Sequence, residues 1–109
     1  MLSKRQRLTR ATFEPVLRGK VYTSASFSLR VVKNNGSKHR FSVVVSKKVA
    51  KKAVDRNTLT RRTYAAIRAA TKTTPSLPGI DAGAFMRASA LKVTLKDLTA
   101  EFAEVFNRL

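Results

Sequence analysis

The sequence predicts an α+β fold, a two-layer sandwich with helices covering a sheet in the order helix, strands, helix, strand, helix. Three observations predict it. Residues 25–33 and 40–46 place apolar side chains at every second position, the period of a strand with one face buried. Residues 53–71 repeat small apolar side chains at helical spacing. Leu95, Leu98, Phe102, Val105, Phe106 and Leu109 then make a second helical stripe. The chain has 109 residues, 43% of them hydrophobic, with six phenylalanines and two tyrosines. That suffices for one domain, residues 1–109, with a modest core, and excludes a disordered basic tail. No internal repeat is visible.

Taken in order, Met1 to Arg10 reads as a basic arm carrying Lys4, Arg5, Arg7 and Arg10. A first helix is expected to end at Arg18, with Gly19 as a left-handed stop and Phe13, Val16 and Leu17 as its apolar stripe. Its start stays open between Thr9 and Thr12, because Pro15 is tolerated only in a first turn. Val21 to Thr23 forms a short strand. Ala25 to Lys33 follows, with Phe27, Leu29 and Val31 on one side and Ser28 and Arg30 on the other. Asn34-Asn35-Gly36-Ser37 reads as a hairpin turn, and Arg40 to Ser46 as the return strand. A basic helix is expected from Ala53 to Thr71, with Asp55 in the first turn favouring the helix dipole. Thr73 to Gly79, with two prolines, is a loop. Ala82 to Ala88 has a weak pattern of its own, but lies between two helices, so a strand parallel to an earlier one is the economical reading. Thr94 with Asp97 resembles a capping box opening the last helix, whose stripe is core.

The net charge of +17 and a pI near 11.6 point to a polyanionic partner. The excess is one-sided. Residues 1–72 hold 19 Lys and Arg against Glu14 and Asp55, whereas residues 73–109 hold four basic residues and four acids. No apolar run approaches the roughly 20 residues of a membrane span, and no helix sets a large apolar face against the lysines. Nucleic acid is therefore expected rather than membrane. With no apolar signal core behind the basic start, the cytoplasm is the expected compartment.

Cysteine is absent, which excludes thiolate chemistry and a disulfide framework. His39, between Lys38 and Arg40, reads as exposed loop or strand. The six acids are scattered, with no pair spaced as a dyad or metal cluster. Arginines and lysines bind phosphate but do little hydrolysis alone. The residues speak for binding an anion, not for cutting one.

The cations gather in one stretch. Lys47, Lys48, Lys51 and Lys52 precede the basic helix, and Arg56, Arg61, Arg62, Arg68 and Lys72 recur within it. On a helical projection Asn57, Arg61, Tyr64, Arg68 and Lys72 share one face. Leu59, Thr63, Ala66, Ile67 and Ala70 share the opposite one, small and apolar enough to lie on a sheet. Arg62 falls to the side. A solvated face is the bland reading, but no acid stands at i±4 to pair with these cations, and like charges there repel. An anion outside the chain accounts for them better.

Val45-Ser46-Lys47-Lys48, followed by Ala53-Val54-Asp55-Arg56-Asn57-Thr58-Leu59-Thr60-Arg61, resembles the signature of the bacterial ribonuclease P protein subunit. Arg7-Leu8, Phe13, Gly19, Phe27-Ser28-Leu29 and Met86-Arg87 match its other landmarks in order, so the resemblance spans nearly the whole chain. It implies the protein component of a ribonucleoprotein endoribonuclease that matures tRNA 5′ ends. The RNA subunit would carry the chemistry and the magnesium. By the same resemblance Lys47, Lys48, Arg56, Asn57 and Arg61 are expected to contact the RNA subunit. Arg68 joins them on the helical-face argument alone. Arg7, Phe13 and Leu17 are expected along the 5′ leader of precursor tRNA, where an aromatic stacks on a single strand. For Phe13 a place in the core of the first helix is the competing reading, and Leu17 stands where a second aromatic is common. The resemblance also implies a left-handed β-α-β crossover, against the usual right-handed rule. Thr58 and Thr60 depart from the family pattern, standing where it has basic residues, and Tyr64 stands where an Arg is common. The alternative from another class is a non-catalytic basic ribosomal or nucleoid protein.

Overall fold

Four strands form one mixed sheet: β1 (Lys20–Thr23), β2 (Phe27–Lys33), β3 (Arg40–Val44) and β4 (Ile80–Met86). Their order across the sheet is β1-β2-β4-β3. Helix α1 (Ala53–Lys72) carries the chain from β3 to β4, and a 3-10 helix (Ala88–Lys92) leads into α2 (Leu95–Asn107). The computed structural model describes residues 16–34, 36, 39–75 and 77–109. The basic arm, Arg7, Phe13 and the open start of the first helix lie outside the described residues. Val16 and Leu17 are helical and precede Gly19. Among the described residues no helix is long and apolar enough to cross a membrane.

The late strand finds the parallel partner expected of it: β4 pairs parallel with β3, through the α1 crossover, and antiparallel with β2. It therefore lies between β2 and β3, which corrects the expected hairpin across residues 34–37. Neighbouring strands lie about 4.8 Å apart, so the ends to be joined are about 10 Å apart and need more than a tight turn. Asn34 still reverses the chain, its Oδ1 accepting from the Gly36 N–H at 3.0 Å. Gly79 packs so close to Asn34 and the Gly36 carbonyl that a Cβ would collide with both. The antiparallel hairpin of the sheet is β1–β2 instead. The weak pattern of β4 also has a reason: a central strand is shielded on both sides, and Ile80 to Gly83 are buried without alternation.

One face of the sheet is the core. Phe27, Leu29 and Val31 of β2, Phe41 of β3, and Ile80, Ala82, Ala84 and Met86 of β4 are buried there with both helices. The register puts the β2 and β4 sets opposite each other, Phe27 against Met86 and Leu29 against Ala84. From α2, Phe102 stacks on Phe27 with centroids 4.0 Å apart, and Phe106 lies 5.7 Å from Phe41. Thr94 caps α2, its Oγ1 accepting from the Asp97 N–H at 3.1 Å. Leu95, expected in the core stripe, is 47% exposed, because it opens α2 one turn before Leu98, the first of its residues to reach the core. Glu101 latches α2 to the β1–β2 hairpin. Its carboxylate accepts from the Ser24 hydroxyl at 2.6 Å, the Ser26 N–H at 3.0 Å and the Ser26 hydroxyl at 2.6 Å.

Helix α1 buries Leu59, Thr63, Ala66, Ile67 and Ala70, the face read as packed. Tyr64 is a correction. Placed by projection among the outward cations, it is only 8% exposed. It stands on the flank of α1, and its long ring bends over to β3, where its hydroxyl accepts the Val43 N–H at 3.3 Å. That covers a donor on the unpaired edge of the sheet. Gly19 is a second correction. Its backbone is not left-handed; what it provides is close approach, since a Cβ would collide with the Val31 carbonyl.

Candidate nucleic-acid interface

At 100° per residue Val54, Asn57, Arg61, Arg68 and Lys72 fall within an arc of about 60° on α1. All five side chains are exposed, opposite the buried face. The ion pairs of the described residues, Arg40–Asp81 and Arg108–Glu104, involve none of them. Because the inner face is packed, the stripe is held as a rigid row rather than a set of floating cations.

Lys47 and Lys48 are exposed in a turn closed by the Ser46 carbonyl, which accepts from Val49 at 3.0 Å and Ala50 at 3.2 Å. Arg56 ties this turn to the helix. One of its guanidinium nitrogens, Nη1, donates to the carbonyls of Ala50 at 3.0 Å and Lys51 at 2.8 Å. So Lys47, Lys48, Asn57, Arg61 and Arg68 share the outer surface, while Arg56 is half-buried and partly engaged within the chain. Arg62 turns away, its Nη1 lying 3.4 Å from the Val93 carbonyl. Thr58 and Thr60 return their hydroxyls to the carbonyls of Val54 and Arg56, each at 2.8 Å, and extend no cation.

The sheet face opposite the helices forms a second surface. Ser28, Arg30, Val32, Ser42, Val44 and Phe85 are half-buried on it. The Arg30 guanidinium lies 5.2 Å from the Phe85 ring centre, a cation–π distance, and its Nη1 donates to the Leu17 carbonyl at 2.8 Å. Leu17, 40% exposed, thus adjoins this face. Arg87 reaches across from the end of β4 to the Ser28 hydroxyl at 3.3 Å. The sequence reading missed Arg30, Phe85 and Arg87 as a group. Strand alternation showed Arg30 pointing away from the core, but only the β2–β4 register brings Phe85 beside it.

At the far end of this same sheet face, Asp81 takes a two-oxygen ion pair from Arg40, each bond 2.9 Å, and a bond from Asn34 at 2.9 Å. His39 is half-buried rather than exposed, because the 77–79 loop folds over it. Its ring hydrogen-bonds to the Pro78 backbone, its Nδ1 is shielded without a partner, and burial pushes its pKa below the usual 6.5.

Comparison with known proteins agrees with this architecture. A family model described as Ribonuclease P matches residues 2–109. Comparison with curated protein sequences gave no match. Among solved structures, the chain is similar to a Staphylococcus aureus RNase P protein mutant with defective mRNA degradation activity. The TM-score is 0.76 at 25% identity, over 96% of this chain and 88% of that one. A further RNase P protein from Staphylococcus aureus gives 0.67 at 26% identity, covering 99% and 92%. The RNase P protein from Thermotoga maritima gives 0.76 at 23% identity over 96% and 98%, a likeness of fold. With its family signature on α1, its β1-β2-β4-β3 sheet and a family match over nearly its full length, this chain belongs to the ribonuclease P protein family.

Proposed function

We propose that the chain is the protein subunit of a bacterial ribonuclease P, binding the catalytic RNA through α1 and the 5′ leader of precursor tRNA through the sheet face that carries Arg30 and Phe85. The carrying observation is the stripe of Asn57, Arg61, Arg68 and Lys72, exposed and without an acid partner among the described residues, on a helix whose other face is locked into the core. Lys47 and Lys48 extend that surface, and Arg56 positions their turn while it retains further donors for phosphate. Phosphate contacts of this kind supply affinity that falls with salt.

For the leader, Arg30 over Phe85 supplies a cation beside an aromatic ring, the pairing that suits a single strand. Leu17 borders it, and the resemblance adds Arg7 and Phe13. The reaction itself, with its magnesium, belongs in this reading to the RNA subunit. Three of the five described carboxylates fit that division. Asp81 is engaged with Arg40, Glu101 with Ser24 and Ser26, and Glu104 with Arg108, so none of these three is set up to hold an ion.

Reconstitution with a bacterial ribonuclease P RNA tests the reading. Cleavage of precursor tRNA at low magnesium should rise on adding the protein, and RNA-free protein should cleave nothing. Unchanged cleavage across a protein titration, with folded protein, would overturn it.

A further inference from the structure

We infer that a cleft on the flank of α1 receives an unpaired guanine base of the RNA lying along the basic stripe. This rests on the stripe's being an RNA-binding face. The cleft, about 280 Å³, is lined by Asp55, Thr58, Leu59 and Arg62 of α1 and by Leu91 of the 3-10 helix. On the projection of α1 it lies directly beside the stripe, continuous with the surface that would hold phosphates.

Its lining is mixed in a particular way. Leu91 is 38% exposed and buried Leu59 lies beneath, so the cleft offers one accessible apolar side chain to the face of a planar ring. Thr58 gives its hydroxyl to the Val54 carbonyl, which leaves its methyl for the cleft. Asp55 and Arg62 are seven residues apart, about 10 Å along the axis, and form no ion pair with each other. Both side chains line the cleft, so a planar group seated there has a carboxylate and a guanidinium to meet.

Asp55 decides the ligand. It is one of two acids in the first 72 residues. Its charge suits the helix dipole, but that accounts for its place on the helix and not for a cleft closed by an arginine at the far end. A carboxylate repels phosphate and only accepts hydrogen bonds, so on RNA it matches base N–H groups. Guanine offers two parallel donors, N1–H and the N2 amine, on one edge. On another it offers O6 and N7, the acceptor pair that a guanidinium matches. Arg62 is oriented by the Val93 carbonyl through a single nitrogen, Nη1, and the remaining guanidinium donors can meet that edge.

The test is fluorescence anisotropy of the whole protein with short oligouridine RNAs carrying one central guanosine, inosine or adenosine. Inosine lacks only the N2 amine. The guanosine oligomer should bind at least about fivefold more tightly than either other. Asp55→Asn should abolish that preference while tightening binding to plain oligouridine, because a negative charge is removed. Equal affinities with ordinary salt dependence, a preference for another base, or a guanine preference surviving Asp55→Asn would each overturn the inference and leave the RNA-binding reading standing. Failure to bind any oligomer would overturn both. The base series uses the unmodified protein, so a folding defect in the variant cannot obscure the answer.

Discussion

Helices α1 and α2 cover the same face of one sheet, yet they use charge in opposite ways. On α2 two of the three carboxylates are engaged within the chain: Glu101 takes three hydrogen bonds from the β1–β2 hairpin, and Glu104 pairs with Arg108. On α1 the cations Arg61, Arg68 and Lys72 point out, with no acid of the described residues beside them. Self-repulsion makes such a row a cost to folding, so it is explained by an anion that is not part of the chain. The lesson is one of position. A charge where a helix meets the sheet edge is structural, and one on the far side of a packed helix is available to a partner.

The strongest way to break this contrast is on α2. Glu101→Ala leaves the N–H of fully buried Ser26 and two hydroxyls without their acceptor. Charged hydrogen bonds contribute about 1.5–3 kcal/mol, so a loss of about 3 kcal/mol in denaturant unfolding is expected. A loss under about 1 kcal/mol would mean that water replaces the latch and that α2 is held by its aromatics alone.

The α1 side should answer in another observable. Arg61→Ala combined with Arg68→Ala is expected to leave unfolding within about 0.5 kcal/mol of the parent. Binding to a ribonuclease P RNA should weaken, with a salt slope shallower by about 0.9 log units for each phosphate no longer neutralised, about 2 for the pair. An unchanged slope would show that these cations do not meet phosphate.

His39 gives the smallest effect and sharpens the comparison, since protonation there adds charge inside a packed loop rather than outside it. The unfolded chain takes up a proton near 6.5, and the folded chain only at lower pH. Stability from this site is therefore complete above 6.5 and is lost as pH falls from there toward the folded value. Thermal unfolding between pH 7.5 and 5.5 should show this decline, and His39→Asn should reduce it. An identical pH dependence in the variant would assign the decline to other groups.

Much of this was readable in the chain itself. Alternation at Phe27, Leu29 and Val31 set the buried face of β2, and spacing set the packed face of α1, because backbone geometry turns sequence periods directly into faces. The ordered motif from Val45 to Arg61 carried the family, and the uneven charge pointed to an anionic partner. Periodicity failed where a neighbour in space decided. Tyr64 left the cationic face because β3 offered it an unpaired N–H, which no projection of α1 alone contains. The pair of Arg30 and Phe85 exists only because β4 inserts between β2 and β3, and the cleft at Asp55 only because the 3-10 helix brings Leu91 to α1. Local sequence determines which way a side chain leaves its own element. Only the tertiary structure decides what stands there to meet it, since the meeting of distant segments depends on strand order and on how elements pack together.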